Sequence, residues 1–247
     1  MKNSFLTMII PFLLVATFPF SAHGEGLSRE QGDAIINELR QIRQTLEKQQ
    51  KPAPPQAAPA APERVKLKIG TEFALGKSDA PLVMVEYTDY QCPFCNRFTT
   101  ATFPDLKKQY IDTGKMRFIS RDYPLDFHPH SMKAAQATRC AADQDKFWQM
   151  KDALMTNYAR MSPELITSLA RDASLDMGAF QACVDGGNHL AEIKEGIAAA
   201  QTVGINGTPS FVLGRMNGDY LEGYRIVGAQ PFASFEAVAK ELLSSGK

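Results

Sequence analysis

The sequence of 247 residues has few cysteines, a single tryptophan and no excess of either sign of charge. Four cysteines are too few for a small scaffold held together by disulfides, but they are enough for a redox site. Basic residues and acidic residues number 27 each, so the balance gives no global reason to expect a nucleic-acid binder. Hydrophobic residues make up 44% of the chain, which argues against a wholly disordered or fibrous protein.

The longest apolar run lies at the N-terminus, where residues 1–24 have the pattern of a signal peptide. Lys2 supplies the positive start, Phe5 to Phe20 is mostly apolar, and Ala22-His23-Gly24 offers small residues for cleavage. An uncleaved membrane anchor is the alternative, but this run contains two prolines and is shorter than the roughly 20 residues that a spanning helix needs. We expect a protein that is exported to the periplasm and soluble after cleavage, in a compartment where disulfides persist.

Residues 25–50 predict an amphipathic helix. Ser28 and Gln31 have the spacing of a capping box at its start. A 4-3-4 spacing places four apolar residues on one stripe, namely Ile35, Leu39, Ile42 and Leu46. Because so short a helix is marginal alone in water, we expect it to pack against copies of itself and form a homo-oligomer. A frayed helix, or one that folds back on the main domain, is the alternative.

Residues 51–62 contain five prolines in twelve positions, which excludes a regular helix and predicts an extended spacer. The domain boundary is therefore expected near residue 63. Residues 63–247 are long enough to bury a substantial core. Their predicted order is strand, helix, strand, a helical block over about 128–200, then two strands and a helix, which is an α/β arrangement.

The residues best suited to catalysis are Cys92 and Cys95, which are separated by Pro93-Phe94. A strand ends near Thr88 and Cys92 opens the next helix, so both sulfurs share one helix face and can form a disulfide. The helix N-terminus favours the Cys92 thiolate, which is the attacking species in disulfide exchange. A structural disulfide and half of a zinc site are the alternatives, but a second close pair of ligands for zinc is missing. We predict a redox pair and no metal.

Three separate segments carry a family resemblance. The segment from Glu86 to Cys95 resembles the active-site strand, loop and helix of the DsbA-like branch of the thioredoxin superfamily. The segment from Gly204 to Phe211 is similar to the cis-proline segment of that branch, and His128-Pro129 with Lys146-Phe147-Trp148 resembles its helical insertion. The resemblance covers about residues 70–245. It implies a thioredoxin fold with a helical insertion, preceded here by the N-terminal helix and the proline-rich linker.

The resemblance also implies catalytic roles. Cys92 would attack, Cys95 would resolve the mixed disulfide, and Pro209 would be the cis-proline that faces the pair. Glu86 matches the buried acid that accepts or relays a proton near Cys95. The alternative for Glu86 is a carboxylate at the strand edge without a catalytic role.

Substrate contacts are expected from Thr208, which precedes the cis-proline, and from Pro93 and Phe94 between the cysteines. Strong oxidants of this family carry a histidine at the position of Phe94. A protonated histidine stabilises the thiolate and hence the reduced form, and phenylalanine cannot do this. We therefore do not expect a strongly oxidising potential.

The other two cysteines are Cys140 and Cys183, both in the helical block. Cys183 lies in a segment similar to family members that carry an extra cysteine pair, so a structural disulfide is expected. Closing a loop of this length stabilises the fold by roughly 4 kcal/mol in the chain-entropy model. A regulatory pair and two unpaired buried thiols are the alternatives.

These observations predict an exported thiol–disulfide oxidoreductase that acts on cysteines of other exported proteins through a mixed disulfide. We expect no cofactor, because the redox-active group would be the Cys92–Cys95 disulfide itself. Its partners would be unfolded or misfolded exported proteins and a membrane redox partner, either a quinone-linked oxidant or a membrane reductant. The N-terminal helix with its proline-rich spacer resembles the oligomerisation arms of some exported isomerase-type relatives. This resemblance favours an isomerase or reductase, with a monomeric disulfide-forming oxidase as the alternative. A periplasmic holdase or surface interaction protein is the alternative from another class.

Overall fold

The computed structural model describes residues 28–49, 63–70 and 73–245. The predicted signal peptide and the proline-rich spacer lie outside these residues. The chain divides into two units, residues 1–58 and 59–247. In the described part of the chain, no helix is both long enough and apolar enough to cross a membrane.

The first unit contributes one helix, α1 (Arg29–Gln49). The capping box is formed, because the Gln31 N–H donates to Ser28 Oγ at 3.2 Å and the Ser28 N–H donates to Gln31 Oε1 at 3.0 Å. Leu39 and Ile42 are 59% and 54% exposed, and Ile35 is 44% exposed. The helix therefore presents an apolar stripe to solvent.

The second unit is built on one mixed sheet of six strands in the order β1-β6-β5-β3-β4-β2. Strands β3 and β4 are parallel and the other neighbours are antiparallel. Every residue of β3 is buried, which explains its nearly continuous apolar sequence. The strands are β1 (Arg64–Lys68), β2 (Phe73–Leu75), β3 (Leu82–Thr88), β4 (Met116–Asp122), β5 (Ser210–Asn217) and β6 (Tyr220–Val227).

Helices cover both faces of this sheet. One face packs against α2 (Pro93–Ala101), α3 (Phe103–Leu106) with the π-helical turn Lys107–Ile111, and the C-terminal α9 (Phe232–Ser244). Phe98 lies at the centre of this layer, with ring centroids 4.4 Å from Phe211 and 5.6 Å from Phe235. The opposite face packs against residues at the end of α8 (Leu190–Thr202), including Ala200.

The predicted helical insertion comprises five helices. They are α4 (Ser131–Ala142), α5 (Phe147–Thr156), α6 (Pro163–Asp172), α7 (Met177–Gly186) and α8. A disulfide joins Cys140 of α4 to Cys183 of α7, with their Cα atoms 5.8 Å apart. The core of the insertion is continuous with Tyr90, Cys92 and Cys95, so the candidate redox pair lies where the insertion meets the sheet.

Candidate active site

The site lies at the start of α2, directly after the loop that follows β3. Cys92 is the N-cap residue of α2 in an extended conformation, and Pro93 occupies the first turn, where its missing N–H leaves no bond unmade. The Cys92 carbonyl accepts from the Asn96 N–H at 3.1 Å, which starts the helix. The backbone N–H groups of Phe94 and Cys95 turn towards the Cys92 sulfur. A thiolate at this position is met by the positive end of the helix.

The opposite wall of the site is formed by the segment between α8 and β5. The Cys92 thiol donates to the Thr208 carbonyl oxygen at an S···O distance of 3.5 Å. The peptide bond between Thr208 and Pro209 is cis. Residues 116 positions apart in sequence are thus brought together, and the contact joins the start of α2 to the segment that leads into β5.

The two cysteines differ in acidity. The pKa of Cys92 is lowered from 9.0 to about 6, mainly because the Cys95 thiol hydrogen-bonds to its sulfur, with further contributions from Thr208 and the helix N–H groups. Burial raises the pKa of Cys95 well above its usual range, and the negative charges near it, at Cys92 and Glu86, raise it further. At neutral pH the pair therefore holds a thiolate at Cys92 and a thiol at Cys95.

The two cysteines also differ in access. Cys92 keeps 3% of its surface exposed and Cys95 keeps none. The buried sulfur of Cys95 accepts from the Asp89 N–H at 3.5 Å. An incoming sulfur atom can reach only Cys92, which is also the sulfur that is ionised.

Glu86 lies below the pair on β3 and is 1% exposed. Its Oε2 accepts from Lys151 Nζ of α5 at 2.9 Å and from the Ser120 hydroxyl of β4 at 3.4 Å. Within the described residues, Glu86 Oε1 is buried and has no hydrogen-bond partner. The carboxylate therefore has one engaged oxygen and one free oxygen beside the redox pair.

The interpretation of the sequence did not include Lys151. This lysine is only 4% exposed, and it comes from the helical insertion rather than from the sheet. The available signal was its position on α5, one residue after buried Met150 and three before buried Leu154. A lysine at such a position needs a buried acid as its partner.

Asp89 was also missed, although it holds the loop between β3 and α2 in place. Its carboxylate is fully buried and accepts from the N–H of Gln91 at 2.7 Å and of Leu125 at 2.8 Å. His128 Nδ1 contacts the same carboxylate at 2.8 Å. The His128 segment is thereby fastened to the active-site loop, and Asp89 is a positioning residue for the cysteine pair.

Two aromatic side chains on segments that contribute to the site are exposed. Phe94 is 58% exposed on the first turn of α2, and Pro93 beside it is exposed as well. Phe127, which the interpretation of the sequence had not singled out, is 74% exposed and directly precedes the anchored His128. Exposed aromatic rings of this kind are typical of binding surfaces.

Cys140 and Cys183 lie apart from this site. His189 is close to both sulfurs, and the three residues are of types that bind metals. In the disulfide form, however, neither sulfur is a thiolate that could bind an ion.

The family follows from a comparison with known proteins. A family model described as Thioredoxin matches residues 68–223. The chain belongs to the thioredoxin family. The predicted DsbA-like thioredoxin fold is confirmed by solved structures, because α-DsbA1 of Wolbachia pipientis is 28% identical with a TM-score of 0.62, and the match covers 72% of this chain and 94% of that one.

Other relatives extend this comparison. The catalytic domain of Proteus mirabilis ScsC is 25% identical with a TM-score of 0.53, over 70% of this chain and 89% of that one. The Na⁺/H⁺ antiporter NhaA 3 of Salinispora tropica is 30% identical over 163 residues, which cover 64% of this chain and 24% of that protein. The chain thus spans about a quarter of the length of this antiporter.

Alkylation of Cys92 should follow the pH dependence of its thiolate. In the reduced protein, we expect the rate of reaction with iodoacetamide to rise with pH through a midpoint near the pKa of about 6. The reactive form is lost as the pH falls through that value. An unperturbed cysteine would give a midpoint at a pH of about 8.5. The Cys92→Ala variant is the control and should react very slowly over this range, and a midpoint at the ordinary cysteine value would contradict the geometry.

Removing the partner of Glu86 should destabilise the fold. Lys151→Met leaves a buried carboxylate uncompensated, so we expect the free energy of unfolding at pH 7 to fall by about 3–5 kcal/mol. The loss should shrink at lower pH, because an unpaired buried carboxylate is relieved by taking up a proton.

The matched control is Lys194→Met on the exposed side of α8, which should change the free energy of unfolding by less than about 0.5 kcal/mol. Denaturant unfolding at several pH values measures both variants. Equal stability of Lys151→Met and the wild type at every pH would show that the buried pair does not support the fold.

Proposed function

We propose that this protein is an exported thiol–disulfide oxidoreductase that acts on cysteines of other exported proteins. The observation that carries the proposal is the asymmetry of the cysteine pair. Cys92 is ionised near neutral pH and is the only sulfur of the pair with any exposure, whereas Cys95 is buried and keeps its proton. Exchange needs one attacking thiolate and one protected resolving thiol, and this pair supplies both.

The proposed reaction passes through a mixed disulfide. The Cys92 thiolate attacks one sulfur of a substrate disulfide, the substrate S–S bond breaks, and the other substrate sulfur leaves as a thiolate that takes up a proton. Cys95 then loses its proton and attacks the Cys92 sulfur, which releases the second substrate thiolate. Two electrons pass to the substrate and the cysteine pair becomes a disulfide. The reverse sequence oxidises a substrate dithiol.

We propose that Glu86 accepts the proton that Cys95 loses when it attacks the mixed disulfide. This carboxylate raises the pKa of Cys95 through its charge, so the two groups lie within electrostatic reach of each other. Its free Oε1 can accept a proton, and the Lys151 ammonium compensates the charge when it does not. Glu86 would thus act as a proton relay during resolution.

A substrate surface is proposed around Cys92. Thr208 and Pro209 form one side, because the Thr208 carbonyl oxygen lies 3.5 Å from the Cys92 sulfur, the atom that a substrate sulfur has to reach. Pro93, Phe94 and Phe127 form the apolar part of the surface, which suits unfolded or misfolded chains.

We favour the isomerase or reductase direction. In isomerisation a substrate cysteine attacks the mixed disulfide and releases the Cys92 thiolate without net electron transfer. The apolar stripe of α1 supports this direction, because self-association would bring several redox sites to one substrate. A membrane reductant would have to keep the pair reduced.

The second candidate is an oxidase that is reoxidised by a quinone-linked membrane partner. The observation that bears on it is the lowered pKa of Cys92, because a value of about 6 is displaced from that of thioredoxin, about 7, in the direction of the oxidant DsbA, about 3.5. A more stable thiolate makes the reduced form more stable and the disulfide more oxidising.

Periplasmic location is part of the proposal and rests on the signal-peptide pattern of residues 1–24. The Cys140–Cys183 disulfide of the insertion supports it as well, because such bonds persist in oxidising compartments.

Charged substitutions in the apolar stripe of α1 test whether the protein acts as an isomerase or as an oxidase. We expect Leu39→Glu with Ile42→Glu to abolish self-association and to lower the reactivation of a scrambled-disulfide substrate by the reduced full chain several-fold, because α1 loses its apolar stripe. The matched control is Asn37→Glu with Gln41→Glu, which adds the same charge away from the stripe. Molar mass by light scattering and recovered substrate activity are the two readouts.

Unchanged reactivation in the Leu39 and Ile42 variant would remove the isomerase argument. Negligible reactivation by all forms, with fast oxidation of reduced substrates by the disulfide form, would identify the oxidase. The Cys92→Ala variant tests the holdase alternative, because a holdase would still suppress aggregation whereas an oxidoreductase loses all exchange.

A further inference from the structure

A cavity of about 200 Å³ opens one helical turn along α2 from Cys95. Phe98 and Thr99 of α2 follow Cys95 by three and four residues, so they lie on the same helix face and form one wall. The remaining walls come from β2, α3, β4 and α5. Their apolar members are Leu75, Phe103, Phe118 and Trp148. The cavity therefore has a planar, aromatic lining.

The lining of the cavity also has a polar part. It includes Glu86 and Lys151, and the Lys151 ammonium donates to Glu86 Oε2 at 2.9 Å. Glu86 Oε1 is buried and lacks a donor among the residues that the structure describes. A buried acceptor without a donor carries a free-energy penalty, which a ligand that brings one N–H or O–H group can remove.

The charges of the lining restrict the ligand further. The Lys151 ammonium disfavours a cation, and the carboxylates of Glu86 and Asp152 disfavour an anion. Lys107 also belongs to the lining, and its ammonium is paired with the Asp112 carboxylate at 2.6 Å. A neutral molecule with a single donor therefore fits the charges best.

The volume of the cavity restricts the size of the ligand as well. An apolar cavity of about 150 Å³ is large enough to bind benzene. A volume of about 200 Å³ accommodates one aromatic ring with a small polar group, or two small fused rings.

We propose that this cavity is a binding site for a neutral aromatic molecule with one hydrogen-bond donor, whose ring packs against Phe98, Phe103 and Trp148 and whose donor bonds to Glu86 Oε1. The cavity does not include the substrate surface around Cys92, but it shares Glu86 with the proton relay that we propose for Cys95. The inference does not depend on the direction of disulfide exchange.

The single tryptophan of the chain makes this site directly observable. We would titrate the full-length protein, labelled with ¹⁵N, with 4-fluorophenol and follow the indole N–H signal of Trp148. The expected result is a saturable shift of this signal. No saturable shift up to the solubility limit of the probe would overturn the proposal.

A pair of neighbouring variants locates the binding. Thr99→Phe places a ring in the mouth of the cavity and should weaken binding by about tenfold or more, since the ligand and the new ring compete for one volume. Thr100→Phe puts the same ring on the exposed side of α2 and should leave the affinity unchanged. Equal affinity in the Thr99→Phe variant and the wild type would place the ligand elsewhere and overturn the assignment.

The donor requirement is tested with 4-fluorotoluene, which has the same shape and no donor. The ratio of the two dissociation constants should move towards 4-fluorotoluene by about fivefold or more in Glu86→Gln, because a bond to a charged acceptor is stronger than one to an amide. An unchanged ratio would overturn the assigned ligand class. If Glu86→Gln does not fold, the two threonine variants still decide whether the site exists.

Discussion

The N-terminus of α2 is the feature on which the rest of the molecule depends. It holds one sulfur as a thiolate in a residue that is 3% exposed, and the other as a fully buried thiol one turn away. Strand β3 brings the chain to this point, and β5 begins directly after Pro209 on the other side. The buried Asp89 carboxylate accepts backbone hydrogen bonds from Gln91 of the loop in between and from Leu125.

The helical insertion makes polar contacts with the residues around this pair rather than only covering it. Lys151 of α5 neutralises Glu86 of β3, and Asn96 of α2 donates to the Met155 carbonyl of α5 at 2.7 Å. Tyr90 of the active-site loop donates to Asp122 at 2.9 Å, and Asp122 is paired with Arg139 of α4. Polar contacts thus join sheet, loop and insertion around the two sulfurs.

Local patterns in the sequence predicted the parts of this arrangement that depend on neighbours along the chain. The spacing of Cys92 and Cys95, the buried run of β3 and the capping box at Ser28 each reflect one turn or one strand, and the structure has a helix start, a strand and a helix start there. The resemblance to DsbA-like proteins predicted the thioredoxin fold, and that prediction is confirmed.

Contacts between distant segments could not be predicted in the same way. Lys151 and Glu86 are 65 residues apart, and Asp89 and His128 are 39 apart. Periodicity indicates that such residues are buried, but it does not identify the partner that makes burial of a charge tolerable. The short edge strand β2 was missed because three residues carry too little pattern to be recognised.

The most direct test of the account is to trap the mixed disulfide. Cys95→Ala should accumulate a covalent adduct with a disulfide-containing substrate through Cys92, because the resolving thiol is gone and the attacking thiolate remains. Mass spectrometry of the non-reduced adduct identifies the sulfur that is bonded. The account predicts an adduct at Cys92 in Cys95→Ala and none in Cys92→Ala. An adduct formed through Cys95, or none in either variant, would contradict it.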